Sequence, residues 1–179
     1  MARLKPVGFD RTSGRVRDLL QTVQSTVGMV PNLLLVMANS PVVLEGYLLL
    51  NDALERGILP ERLREQMALA VAECHGSQYW VAGHVALGRA AGLSDEEIMD
   101  ARDGRSSSSK TQTALQFACR MIDTRGDLAE EDWVRLRAAG YSDREITEII
   151  AWVCVNTFSD YFAQATQTEI DFPKTIATW

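Results

Sequence analysis

Sulfur and imidazole are scarce in this chain of 179 residues, which holds three cysteines and two histidines. Cys74, Cys119 and Cys154 lie far apart in the sequence and read as free, buried thiols of a reducing compartment, with the cytoplasm as the default location. Adjacent Cys74 and His75 lack the paired spacing of a structural zinc site, and no Glu-x-x-His pair suggests a di-iron bundle. No metal is expected. No glycine-rich loop opens a helix after a strand, so no nucleotide or other cofactor is expected either.

Positive charge is also short, with 18 Lys and Arg against 24 Asp and Glu, a formal balance of −6 and no basic cluster. That balance excludes a nucleic-acid binder, which must neutralise phosphates. Long apolar runs are missing too. The most apolar stretch, "VPNLLLVMANSPVVLEGYLLL", is interrupted by Asn32, Asn39, Pro41 and Glu45, too polar for a membrane span. The opening "MARLKPVGFD" has no apolar run after its charges and does not read as a secretory signal. Sustained alternation of apolar and polar residues is nowhere found, so strands are not expected.

What the chain does have is helix punctuation. Ser40, Pro41 and Gly57 bracket one helix, Pro60 and Gly76 bracket the next, and a third runs from Ser77 to Ala91 before Gly92. Within the second, Leu63, Met67, Ala70 and Val71 recur at helical intervals. The corners "AAGLSDEEI" (90–98) and "AAGYSDREI" (138–146) agree at seven of nine positions. Each reads as a helix ended by glycine, then a serine cap with a glutamate three residues on. A duplicated unit would explain the likeness, but good caps recur independently, and that simpler account is preferred. "GRSSSSK" (104–110) is a polar loop, and helices are expected over 110–125, 129–139 and 143–166. The fold class is all-α, a multi-helix bundle in one domain over 1–179. Its extended tail, 167–179, is anchored by Phe172, Ile176 and Trp179, either on its own domain or on a neighbouring subunit.

Helical spacing puts Ser77, Trp80 and His84 on one face, and Glu65, Leu69 and Glu73 on a stripe of the preceding helix. Gly76 lets the chain turn back, so the two stripes can face each other. A carboxylate opposite an imidazole is a proton-transfer pair, the anion fixing the ring's orientation. A plainer reading stands beside this one. His84 and Trp80 then belong to the core, Glu65 and Glu73 are solvated partners of Arg62 or Arg64, and Cys74 is a small buried hydrophobe.

The block "LREQMALAVAECHGSQYWVAGHVALGRAAGLSDEEI" (core motif within 61–98) resembles the AhpD-like alkylhydroperoxidase and carboxymuconolactone decarboxylase superfamily, in its peroxidase-related branch. "VPNLLLVMANSPVVLEGY" before it and "TEIDFP" near the end extend the resemblance over nearly the whole chain. In thiol-using members a glutamate lies twelve residues before a Cys-x-x-Cys pair, and a histidine follows the second cysteine by four. By that resemblance the glutamate is Glu65 and the histidine His84, Tyr79 also fits, and the cysteine positions hold Ser77 and Trp80.

The resemblance therefore implies a site that keeps its proton handling and lacks its redox sulfur. The expected function is non-redox acid–base catalysis (decarboxylation, isomerisation or elimination) on a small organic substrate. His84 would act as acid/base, Glu65 as its orienter, and Ser77 and Tyr79 as hydrogen-bond donors, with Trp80, Glu73 and Cys74 binding substrate. One alternative is an inactive oligomeric scaffold with Trp80 plugging the pocket. Another is residual peroxidase activity through Cys74, with only His75 at hand to lower its pKa. A homo-oligomer (dimer, trimer or hexamer) is implied by resemblance alone.

Overall fold

The computed structural model describes residues 2–172, and among these it is all-α. Nine helices follow a short 3-10 turn at Phe9–Arg11. They are α1 (Gly14–Val27), α2 (Asn32–Met37), α3 (Pro41–Glu55), α4 (Glu61–His75), α5 (Gln78–Ala90), α6 (Asp95–Arg102), α7 (Ser109–Asp123), α8 (Glu130–Ala138) and α9 (Asp143–Thr166). One hydrophobic cluster takes buried side chains from every helix, from Leu20 in α1 to Ile149 in α9, and ends with Phe172. No helix among the described residues is long and apolar enough to cross a membrane.

Helix α4 is the axis of the bundle and packs against α5, α6, α7 and α9. Its middle, Gln66 through Ala72, is buried without a break. A helix buried on all sides needs such a run, and its alanines let neighbouring backbones approach closely. Polar chemistry on α4 is therefore pushed to its two ends, with Glu65 at one and Glu73, Cys74 and His75 at the other.

Both repeated corners form complete capping boxes. Ser94 Oγ accepts from the Glu97 N–H while Glu97 accepts from the Ser94 N–H, and Ser142 and Glu145 do the same. Other starts are less orthodox. Ser40 occupies the cap position of α3 and Ser77 that of α5, yet neither side chain caps its helix. Helix α3 ends at Glu55, before the expected stop at Gly57. Gly57 serves close approach instead: the Glu148 carboxylate crosses it to accept the Ile58 and Leu59 N–H groups, where a Cβ would collide.

The expectation of buried cysteines is corrected. Cys74 and Cys154 are exposed and Cys119 is half-buried. Cys74 follows the buried run of α4, and Cys154 shares an outward stripe of α9 with exposed Phe158 and Tyr161. After α9 the tail returns to its own chain, and Phe172 is buried against Tyr79 and Trp80, with ring centroids 5.4 and 6.3 Å apart. The remaining anchors, Ile176 and Trp179, lie outside the described residues.

Candidate functional site

Gly76, in the left-handed region at φ 65°, reverses the chain between α4 and α5 and lays the two stripes against each other. Glu65 Oε2 then lies 2.9 Å from His84 Nδ1, with both side chains largely buried. When Nδ1–H donates to the carboxylate, Nε2 carries the lone pair. Among the described residues no hydrogen bond reaches Nε2.

Around this ring sits a group of buried polar atoms with no partner within hydrogen-bond distance among the described residues, Ser77 Oγ, Trp80 Nε1 and both carboxylate oxygens of Asp160, although the Ser77 hydroxyl is near enough to act on Asp160. The Trp80 indole stacks on the imidazole, with centroids 4.9 Å apart and planes 23° from parallel. Gly83 makes that packing possible, because a Cβ there would lie 3.0 Å from the indole and 3.1 Å from the Phe172 ring. Asp160 comes from α9 and is 1% exposed. Burial pushes its carboxyl up to about 6, against the pull of the Ser77 hydroxyl and the His84 charge. Tyr47 of α3 borders the same region. Burial pushes its phenol up to about 12, and Ser159 and Asp160 are among the groups acting on it.

Other expected site residues are placed elsewhere or otherwise engaged. The Tyr79 hydroxyl accepts from the Leu33 N–H at 3.1 Å and donates to Asp171 Oδ1 at 3.0 Å. Asp171 Oδ2 accepts from the Asn32 N–H at 2.7 Å, so the pair satisfies donors at the start of α2. Tyr79 thus ties α2 and the tail to α5, and burial keeps its proton on. Glu73 accepts from Arg102 Nε at 2.8 Å. Cys74, beside Glu73, contacts Cys119 rather than the His84 group, with the sulfurs 3.0 Å apart. Of the two expected donors, Ser77 is the one left unpaired.

Sequence reasoning missed Asp160 and Tyr47. A signal for Asp160 exists: Trp152, Asn156 and Asp160 recur every fourth residue on the buried face of α9, and a carboxylate on such a face is costly unless used. Two hollows among the described residues lie away from His84. The larger, about 300 Å³, is lined by residues including Lys5, Asn32, Val36 and Glu169; the smaller lies between Phe117 and Arg135. No cluster of three or more His, Cys, Asp or Glu suited to a metal ion occurs among the described residues.

Residues 41–121 match the model of the carboxymuconolactone decarboxylase family. A solved peroxidase-related protein with an alkylhydroperoxidase AhpD core, from Ralstonia eutropha JMP134, superposes with a TM-score of 0.86 at 21% identity, covering 95% of this chain and 92% of that one. A peroxidase-related protein from Silicibacter sp. TM1040 gives 0.83 at 21%, covering 94% and 91%. A cysteine-to-alanine variant of the debrominase Bmp8, in complex with 2,3,4-tribromopyrrole, gives 0.82 at 18%, covering 94% and 91%. No curated protein matches. The bundle has the AhpD-like fold, and the stretch from α3 to α7 is similar to the carboxymuconolactone decarboxylase family.

Proposed function

We propose that this chain is a non-redox acid–base enzyme acting on a small organic substrate, with His84 as the proton-transferring residue. The observation that carries this reading is the set of unpaired polar groups beside the Glu65–His84 pair. Each buried polar atom left without a partner costs about 1–3 kcal/mol. A cluster of them is understandable when a ligand completes it. Ser77 and Trp80 stand where the resemblance would put a cysteine pair, so no sulfur is present there to carry electrons.

In this reading Nε2 of His84 takes a proton from carbon next to a carbonyl, and the electron pair moves onto the carbonyl oxygen. Ser77 and the protonated form of Asp160 stabilise that oxygen by donating hydrogen bonds. The imidazolium then returns the proton to another carbon, or to a leaving group as it departs. Glu65 is a positioning residue. Trp80 offers a flat face that suits a planar substrate, and one structural neighbour is in complex with the planar 2,3,4-tribromopyrrole. The test is solvent-deuterium exchange into a panel of β-keto acids, 1,3-diketones and enones, followed by NMR. Wild type should accelerate exchange into a member of the panel and His84→Gln should not. Equal rates in both would end the acid–base role.

A second reading is favoured by the stacked indole. Trp80 then closes the site and the chain is a non-catalytic binding or scaffold homologue. Trp80→Ala distinguishes the two: an enzyme changes KM or specificity, whereas a scaffold changes only its melting temperature. The resemblance, with exposed Val42 and Leu49 on α3 beside Phe158 and Tyr161 on α9, also supports a homo-oligomer, to be measured by sedimentation. Free thiols support a cytoplasmic location.

A further inference from the structure

We infer that Cys74 and Cys119 form a second, redox-active site, a dithiol that reduces small neutral or cationic disulfides and closes into an intramolecular disulfide. This site stands apart from the Glu65–His84 pair and does not depend on its function. Cys74 lies on the last turn of α4 and Cys119 on α7, which packs directly against α4. Their sulfurs are 3.0 Å apart. Closing to a bond of ~2.05 Å therefore needs an approach of about 1 Å.

The two thiols are unequal, as a working pair must be. Cys74 is exposed, and Cys119 is half-buried behind it. The hydrogen-bonded contact with Cys119 pulls the Cys74 thiol below its ordinary range, against burial and the charges of Asp123 and Glu73. The same contact, with burial, pushes Cys119 up. Cys74, the exposed sulfur, is the attacking one, and Cys119 behind it resolves.

The surroundings select the substrate. Breaking a peroxide bond leaves an alkoxide that needs a proton donor. The neighbouring imidazole, His75, is turned to Thr157 Oγ1 at 3.1 Å and to the edge of Tyr161, and burial favours its neutral form. A disulfide leaves as a thiolate, a far better leaving group that needs no such donor. Of the carboxylates acting on Cys74, Asp123 disfavours an anionic reagent, while the charge of Glu73 is offset by its pair with Arg102.

The chemistry balances. The Cys74 thiol first releases its proton, and the thiolate attacks one sulfur of R–S–S–R, forming a Cys74–S–S–R bond and expelling RS⁻, which takes up that proton. Cys119 then loses its proton and attacks the Cys74 sulfur, expelling a second RS⁻, which is protonated in turn. Two protein thiols are oxidised to one disulfide, and one small disulfide is reduced to two thiols. A dithiol reductant restores the starting state.

The test uses the full chain carrying Cys154→Ser, treated with hydroxyethyl disulfide, alkylated with iodoacetamide and weighed intact. The expected product is lighter by two hydrogens, carries no alkyl group and yields a Cys74–Cys119 cross-linked peptide. Adding Cys119→Ser should trap the reagent on Cys74 as a stable mixed disulfide, and adding Cys74→Ser should stop the reaction. Two free thiols after treatment, first attack at Cys119, or faster oxidation by tert-butyl hydroperoxide than by the disulfide would each overturn the proposal. Should a double variant fail to fold, alkylation of Cys74 as a function of pH in the Cys154→Ser chain gives an independent reading. Half-maximal rate below the free-thiol value of ~8.5 supports the proposal, and a value at or above it refutes the proposal.

Discussion

Glu65 and Glu73 stand eight residues apart on one stripe of α4, and the fold employs them in opposite ways. Glu65 lies at the end covered by α5, holds the His84 ring at 2.9 Å, and is 18% exposed at its side chain. Glu73 lies past the buried middle of the helix, is 35% exposed, and is held by Arg102 beside the thiol pair. One helix thus holds a dry carboxylate–imidazole pair at one end and, at the other, an open carboxylate–guanidinium pair beside two thiols. The difference lies in what packs against each end rather than in residue type. A carboxylate paired in a dry setting can tune a neighbour strongly, whereas water screens the same charge at the rim.

The sharpest break between the two ends should come from His84. On a substrate the protein turns over, His84→Gln is expected to lower kcat by about 10²–10⁴-fold, the usual contribution of a positioned acid or base. Cys74→Ser should leave that rate unchanged. Glu65→Gln should lower kcat less and move the pH–rate profile, a change that a merely structural glutamate would not cause. Dependence of the same turnover on Cys74 would show that the two ends form one site.

Asp160 tests whether the dry end is kept for use at the expense of stability. Its folded pKa of about 6 lies above the ordinary 3.8, so the native state holds the proton more tightly than the unfolded chain does. Stability is then unimpaired below pH 3.8, falls as pH rises from 3.8 to about 6, and stays reduced above that. Asp160→Asn removes the ionisation. It should gain about 2 kcal/mol in denaturant unfolding at pH 8 and nothing near pH 3.5, while its amide keeps a hydrogen-bond donor at the site. Equal gains at both pH values would show that burial of the charge is not the cause.

Tyr79 carries a smaller expected effect. Phenylalanine there leaves the Leu33 N–H unpaired at the start of α2 and removes a partner of Asp171. A loss of about 1–2 kcal/mol is expected, with faster amide exchange at Leu33. Catalysis should follow stability only, because this hydroxyl is occupied by the fold.

Features written in local spacing could be read before any coordinates. Both capping boxes, the bounds of α4 and the facing stripes of α4 and α5 follow from helical phase, a glycine turn and serine–glutamate spacing. Features that depend on remote partners could not. Asp160 reaches the site from α9, far along the chain, and Tyr79 meets a tail carboxylate at a sequence distance of 92 residues. The contact between Cys74 and Cys119 needs α7 laid on α4. Helix α2 was hidden because six residues carry too little periodicity to separate a helix from an apolar run. The cysteines were misjudged because thiols are usually buried, and two of these lie on outward faces.

The smallest expected effect is at Glu73, and it closes the comparison. Its pair with Arg102 is partly open to water, so Glu73→Gln should cost less than ~1 kcal/mol in unfolding experiments. The same change removes a negative charge that works against the Cys74 thiolate. Alkylation of Cys74 at pH 7 should therefore become modestly faster, while turnover at His84 stays as it was. Glu65→Gln should do the reverse, slowing turnover and leaving Cys74 alkylation untouched. A glutamate variant that moved both readouts together would mean that α4 transmits charge effects along its length, and the two ends would have to be treated as one electrostatic unit.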